Sequence, residues 1–371
     1  MVARRSLSVL GSVILFVSVN AAEADPPHDW QRISLAEAGF LPDVGEKLDD
    51  AVRTNEFDNL HAVIVARGGK LVLERYYEGE DKRTRGPALG IVKFGPEVKH
   101  DLRSVTKSIV GLLYGVALAD GKVPDLDQSL VGQFPAYEDL PADPKRARMT
   151  VRHALSMTLG TEWDEGLPYF DPRNSETAMD LVADRYRYVL ERPMVAEPGT
   201  QWNYNGGATA VLAHLISRGT GQPLLDYARE SLFEPLGIAD VEWVADSDGE
   251  PFAASGLRMR PRDLAKIGQL VLDRGTWGDS QLVPSEWLDQ SFTPRARAGD
   301  VREYGYHWWL GKSRNNDQPW ISAFGNGGQR LFIVPGHELV IVITAGNYNK
   351  PGHWKLPVAV ISKVLAALRD W

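Results

Sequence analysis

Two polar side chains one helical turn apart open a long apolar run in this chain: Ser104 and Lys107, within DLRSVTKSIVGLLYGVAL at residues 101–118. On a helix, positions i and i+3 share a face, so a hydroxyl and an amine would meet there. The run is apolar on nearly every side, which places the helix in the interior. A lysine in its first turn is then partly desolvated, and burial favours the neutral amine. Such an amine can take the serine proton and leave a nucleophile. Unpaired backbone N–H groups at the helix mouth would favour the oxyanion formed by attack on a carbonyl. The tetrapeptide Ser-x-x-Lys is weak by itself. About one chance match is expected in a chain of this length, and a helix start followed by a solvated lysine is the majority reading of it alone.

Other chemistries find no support. The 371 residues include no cysteine, which excludes disulfides, thiolate nucleophiles and Cys-ligated zinc. The 8 histidines are scattered without an H-E-x-x-H pattern, so neither metal nor other cofactor is expected. There is no G-x-S-x-G elbow, no P-loop and no G-x-G-x-x-G. The net charge of −8 comes without a basic stripe, which argues against nucleic-acid binding.

Certain elements must position the pair. HAVIVARGGKLVLERYYEG holds two β-branched runs around Gly68-Gly69, a hairpin signal. Before it, SLAEAGFLPDVGEKLDDAV has helical spacing. TVRHALSMTLG predicts a short helix with Thr150 as N-cap and Gly160 as stop. ATAVLAHLISRGTGQPLLDYARESLFEPLGI predicts two helices broken at 219–223, and RPRDLAKIGQLVLDRG and PSEWLDQSF two more. Near the end, WISAFGNGGQRLFIVPGHELVIVITAG predicts three strands turned at Asn326-Gly327 and at 335–338, before a last helix in LPVAVISKVLAALRDW. Strands at both ends and helices between predict an α+β fold: one antiparallel sheet formed from both chain ends, flanked by helices, with a mostly helical insert.

Residues 1–24 read as a signal peptide: Arg4 and Arg5, an apolar core from Leu7 to Val19, then Ala22 and Ala24 as an A-x-A site. The apolar core is short of the roughly 20 residues a bilayer span needs, so export, to the periplasm or medium, is expected without a stable membrane span. Cleavage would remove Arg4, Arg5 and Glu23, leaving 41 − 2 = 39 basic and 49 − 1 = 48 acidic residues and a net charge of −9. The rest, 25–371, reads as one hydrolase domain, its α/β part at about 25–103 and 245–371 and its helical part at about 104–244.

SVTKS ahead of a buried helix, then HALSMTLGTEWDE, then PGTQWNYNGGATAVLAHLISRGTGQPLLDYARESLFEPLGI together resemble the serine β-lactamase-like hydrolases. That superfamily includes class C β-lactamases, D-alanyl-D-alanine carboxypeptidases, esterases of the same fold and 6-aminohexanoate oligomer hydrolases. The resemblance covers roughly residues 40–365, and the joint order of motifs is far more specific than Ser-x-x-Lys. It implies that Ser104 is the acylated nucleophile and Lys107 its partner. The family's Tyr-x-Asn falls on Tyr204-Asn205-Gly206. Tyr204 then carries over as general base or proton relay, Gly206 stands where the Asn would be, and Asn205 is a candidate substrate contact one place early. The two bases would titrate as a unit, which leaves their division of labour open. The third element, Lys-Thr-Gly or His-x-Gly, falls by ungapped match on Trp320-Ile321-Ser322, without its cation. That departure argues against penicillins and peptidoglycan stems as main substrates. A backbone N–H near Ala323 would complete an oxyanion hole with that of Ser104. Asn326 could line the site, though a plain hairpin turn is the simpler reading. The aromatic stretches YGYHWWLG and EWDEG could line a pocket or simply pack.

The expected activity is an exported serine hydrolase acting on a small ester or amide, or a linear amide oligomer. The alternatives are a true β-lactamase or D,D-carboxypeptidase, and a non-catalytic binding or sensor domain on the same scaffold. Substrate identity and oligomeric state are left open by the sequence.

Overall fold

Gly68 and Gly69 take positive φ (55° and 73°) and turn β1 (Leu60–Arg67) back onto β2 (Lys70–Tyr76). Those are dihedrals that residues with a Cβ rarely adopt. The computed structural model describes residues 30–371, so the expected leader at 1–24 and its expected cleavage site lie outside the described residues. Among the described residues, no helix is long and apolar enough to cross a membrane.

After β2 come a hairpin of β3 (Glu78–Lys82) and β4 (Ala88–Lys93), and a small sheet in which β5 (His100–Asp101) pairs with β7 (Leu257–Met259), itself paired with β6 (Glu242–Trp243). A two-residue hairpin, β8 (Thr276–Trp277) and β9 (Ser280–Gln281), follows. The rest of the main sheet is β10 (Ala296–Arg297), β11 (Glu303–Tyr304), β12 (Trp309–Lys312), β13 (Pro319–Gly325), β14 (Gln329–Val334) and β15 (Leu339–Ala345). Its order is β10-β11-β12-β13-β14-β15-β1-β2, antiparallel throughout, so the two chain ends meet where β15 pairs with β1. This is the α+β arrangement the sequence predicts.

The central strands are continuous apolar runs because both faces of the sheet are covered. Alternate residues serve two cores. Ile64, Ala66, Leu331, Ile333, Val340 and Val342 face the larger one, with α2 (Val105–Ala119) and α8 (Pro261–Leu272). Val63, Val65, Phe332, Val334, Ile341 and Ile343 face the smaller, with α1 (Val44–Arg53) and α10 (Lys355–Leu365). The remaining helices are α3 (Val151–Leu155), α4 (Ser175–Leu181), α5 (Arg185–Glu191), α6 (Gly206–Thr220), α7 (Leu224–Ala228) and α9 (Ser285–Ser291).

Helix α2 is buried along 12 of its 15 residues. Gly115 lets α9 approach it: a Cβ there would stand 2.1 Å from the Trp287 ring, whose Nε1 donates to Gly111 O at 3.0 Å. Thr150 caps α3 in a box with His153, and Gly221 ends α6 at φ 72°, with α7 starting after Pro223. Two expectations shift. Helix α1 begins only at Val44, because Phe40 leaves the helical path to bridge Leu368 and enter the smaller core. Helix α3 ends at Leu155 rather than near Gly160, since Met157 takes a positive φ of 59°.

Candidate active site

Ser104 is the N-cap of α2 and is almost wholly buried, yet it lines a cleft of about 600 Å³. Lys107 lies one turn in and is fully buried. Its Nζ donates to Ser104 Oγ at 3.2 Å, to Glu176 Oε2 at 3.1 Å and to the Ala254 carbonyl at 3.0 Å. All three ammonium protons therefore have acceptors. Tyr204 enters from the loop ahead of α6, its ring 4.9 Å from Lys107 Nζ and its phenol beside Ser104 on the cleft wall, where the serine hydroxyl works to lower its pKa. The structure thus gathers Ser104, Lys107 and Tyr204, from positions a hundred residues apart, at one end of the cleft.

The charge state differs from the sequence expectation. Burial does pull the Lys107 ammonium down, but its acidic neighbours, Glu176 first, outweigh it and hold it above the ordinary lysine range. Lys107 is a fixed cation because a buried carboxylate reaches it from α4, which nothing within the Ser-x-x-Lys motif announces. Burial conversely raises Tyr204, only partly offset by Lys107, so it rests as a phenol.

Glu176 and Glu165 were not singled out from the sequence. Asn174 caps α4, accepting from the N–H groups of Glu176 and Thr177, and so fixes Glu176 at the helix start. Burial would raise the Glu176 carboxyl, but Lys107 and Arg85 hold it below its ordinary value. Glu165 lies within the aromatic EWDEG stretch. It accepts from Trp163 Nε1 at 2.7 Å, Gly206 N at 2.6 Å and Tyr169 OH at 2.8 Å. Burial and the Glu176 charge push it up to about 7, although Lys107 opposes them. The only available signal was negative: a Gly at 206. A Cβ there would lie 2.3 Å from Glu176 Oε2, so the missing side chain leaves room for the carboxylate that pairs with Lys107.

The other candidates separate. Asn205 is buried and caps α6, its side chain accepting from Ala208 N at 3.0 Å; it does not line the cleft. Trp320 does not line the cleft either: its ring packs between Phe324, Phe332 and Gly311, farther along β13. Ala323 is a buried core residue paired with Leu331. Asn326 does line the cleft, with its Oδ1 accepting from Asn349 N at 2.9 Å. The strand end that meets Ser104 is therefore Phe324-Gly325-Asn326, a few residues beyond the ungapped match. Gly325 abuts the segment just before Ser104, where a Cβ would fall 2.5 Å from Leu102 O.

A cation does reach the cleft from the strand next to β13. Arg330, cross-strand partner of Phe324, stacks on its ring at 3.7 Å and lines the cleft. Burial and the neighbouring Arg302 lower its pKa to about 9. Trp309, stacked on Phe324 at 4.7 Å, and Tyr169 add aromatic wall. A serine hydroxyl, a proton-bearing phenol, a fixed ammonium and backbone N–H groups around one cleft can carry out acyl transfer.

The Beta-lactamase family profile matches residues 59–355. The chain is 25% identical to the 6-aminohexanoate-dimer hydrolase of Paenarthrobacter ureafaciens, over 91% of this chain and 84% of that one. It is 27% identical to esterase EstB of Burkholderia gladioli, over 76% and 70%. In fold it is similar to a β-lactamase/D-alanine carboxypeptidase from Pseudomonas syringae, at TM-score 0.66 and 17% identity over 87% and 97% of the two chains.

Proposed function

The chain belongs to the β-lactamase family of serine hydrolases, and from that premise we propose that it cleaves a small ester or amide through an acyl-enzyme on Ser104. The observation that carries this reading is the Ser104–Lys107–Tyr204 cluster opening on the cleft. Ser104 Oγ attacks the carbonyl carbon while its proton passes to the Tyr204 oxygen. The Tyr204 proton moves to the leaving group in the same relay, so no free tyrosinate need accumulate. Lys107 remains an ammonium and stabilises negative charge passing through Ser104 and Tyr204. The N–H of Ser104 and one from 324–326 hold the oxyanion, a contribution of about 3–4 kcal/mol per donor in hydrolases. Water then releases the acyl group by the reverse relay.

A linear amide or ester whose far end carries a carboxylate suits this cleft, because Arg330 offers a cation there. The same residue favours a second reading, a β-lactam or D,D-peptide, whose carboxylate it could also meet. Hydrolysis of p-nitrophenyl butyrate, 6-aminohexanoate dimer and a chromogenic cephalosporin separates the two. Faster cephalosporin turnover overturns the first reading, and activity surviving Ser104→Ala overturns the acyl-enzyme. Export through cleavage near Ala24 belongs to the same proposal, checked by the N-terminal sequence of the secreted protein.

A further inference from the structure

Ahead of Ser104 in the chain lie two fully buried histidines and a buried aspartate, none of which lines the cleft: His61 on β1, Asp81 on β3 and His100 on β5. One ligand-capable atom of each lies within 4.8 Å of the others. His61 Nδ1 and His100 Nε2 face one another at 2.8 Å.

The outer nitrogens decide the protonation. His100 Nδ1 lies 2.9 Å from the Asp101 carbonyl, an acceptor only, so it must carry the hydrogen. His61 Nε2 lies 3.1 Å from Asn59 Oδ1, and that amide is oriented by its Nδ2 donating to the Glu80 carbonyl at 3.0 Å. His61 Nε2 must therefore also carry a hydrogen. With both outer nitrogens protonated and both rings neutral, the inner nitrogens present two lone pairs to each other. Such a contact is repulsive unless something positive lies between them. Both rings are fully buried, away from water.

Asp81 completes the set. Its Oδ1 accepts from the Tyr348 hydroxyl at 2.7 Å. Each of the three side chains thus has an outer partner fixing its orientation, the pattern of metal ligands and their supporting shell. Phe94 stacks on His61 at 4.1 Å and closes the site. Gly79 and Gly346 hug the same ring, since a Cβ at either would lie 2.6 or 2.7 Å from it. We propose that His61 Nδ1, His100 Nε2 and an Asp81 oxygen form a site for one divalent transition metal of the zinc class. Zinc–nitrogen bonds of about 2.0–2.1 Å in tetrahedral geometry need the two nitrogens about 3.3 Å apart, so the rings part by about half an ångström on binding. The ion would tie β1, β3 and β5 together just ahead of Ser104, a structural role distinct from acyl transfer.

The ligands come from three strands, at spacings that resemble no metal motif, so only the folded chain brings them together. The test uses untagged mature protein refolded with one equivalent of zinc or cobalt and then desalted. The expected results are close to one retained metal per chain, tetrahedral cobalt absorption, and a Tm that falls with chelator and recovers with zinc. Tyr348→Phe keeps the ring that stacks on Arg103 but loses the bond to Asp81, and should weaken metal affinity about 10–100-fold. Asp81→Asn and His100→Gln should lose the metal. If those two do not fold, the uptake of the parent protein and of Tyr348→Phe decides. No retained metal in the parent, with a Tm indifferent to chelator and zinc, overturns the site and leaves a proton shared between the imidazoles.

Discussion

The Glu176 carboxylate meets the Lys107 ammonium at 3.1 Å, both side chains buried, in space left by the absent side chain of Gly206. A buried ion pair seldom stabilises a fold more than apolar packing would, but breaking one by removing a partner is costly. Its retention here beside Ser104 fits a demand for a permanently charged lysine.

Glu176→Ala should therefore destabilise the protein by about 3–5 kcal/mol, read from denaturant unfolding. The pair also sets a pH signature. Glu176 is held below its ordinary value, so its contribution is present above the ordinary carboxyl range and is lost as pH falls through the lowered folded value. Lys107 is raised, so its contribution persists through neutral pH and is lost only in strong alkali. A Glu176→Ala variant as stable as the parent would refute the pairing.

Gly206→Asn, which restores the family pattern, should be destabilising because its side chain enters the space of Glu176. In the Glu176→Ala background the same change should cost less, with a coupling of about 0.5–3 kcal/mol in a double-mutant cycle. Additive effects would show that the two do not compete for space.

Glu165 titrates with the opposite sign to Glu176. Its folded pKa is raised from the ordinary 4.5 to about 7, so the folded state bears a cost that grows between those pH values and is full above 7. Glu165→Gln should be more stable than the parent at pH 8, and the gain should vanish near pH 4. Parallel stability curves across that range would contradict it.

Arg330→Gln should raise KM for a carboxylate-bearing amide on the order of 10–100-fold, the equivalent of about 1.5–3 kcal/mol for a charge-assisted hydrogen bond. An uncharged p-nitrophenyl ester should change little. Equal effects on both substrates would mean that Arg330 only supports Phe324.

Tyr204→Phe should lower kcat by about 10²–10⁴ for every substrate while leaving Tm close to that of the parent. Lys107→Met should fall at least as far, since it removes the cation along with the Ser104 hydrogen bond. A Tyr204→Phe enzyme with near-normal kcat would exclude the relay.

What the sequence determined by itself was whatever rests on neighbours in the chain. Residues 104–118 form a buried helix because the run is apolar all round, and i, i+3 spacing alone brings Ser104 and Lys107 onto one face. The Gly68-Gly69 turn, the Thr150 cap and the largely apolar β14 and β15 runs are local in the same sense. Tyr204 was legible through the order of motifs. Tertiary structure decided what depends on contacts between distant segments. The lysine is charged rather than neutral because Glu176, 69 residues away, arrives in the room left at Gly206. Asn205 went to a helix cap, Trp320 to an aromatic stack, and a different cation, Arg330 of the neighbouring strand, lines the cleft. Periodicity records which face a residue occupies, but not which opposing charge will meet it there, and that charge sets the protonation state of the site.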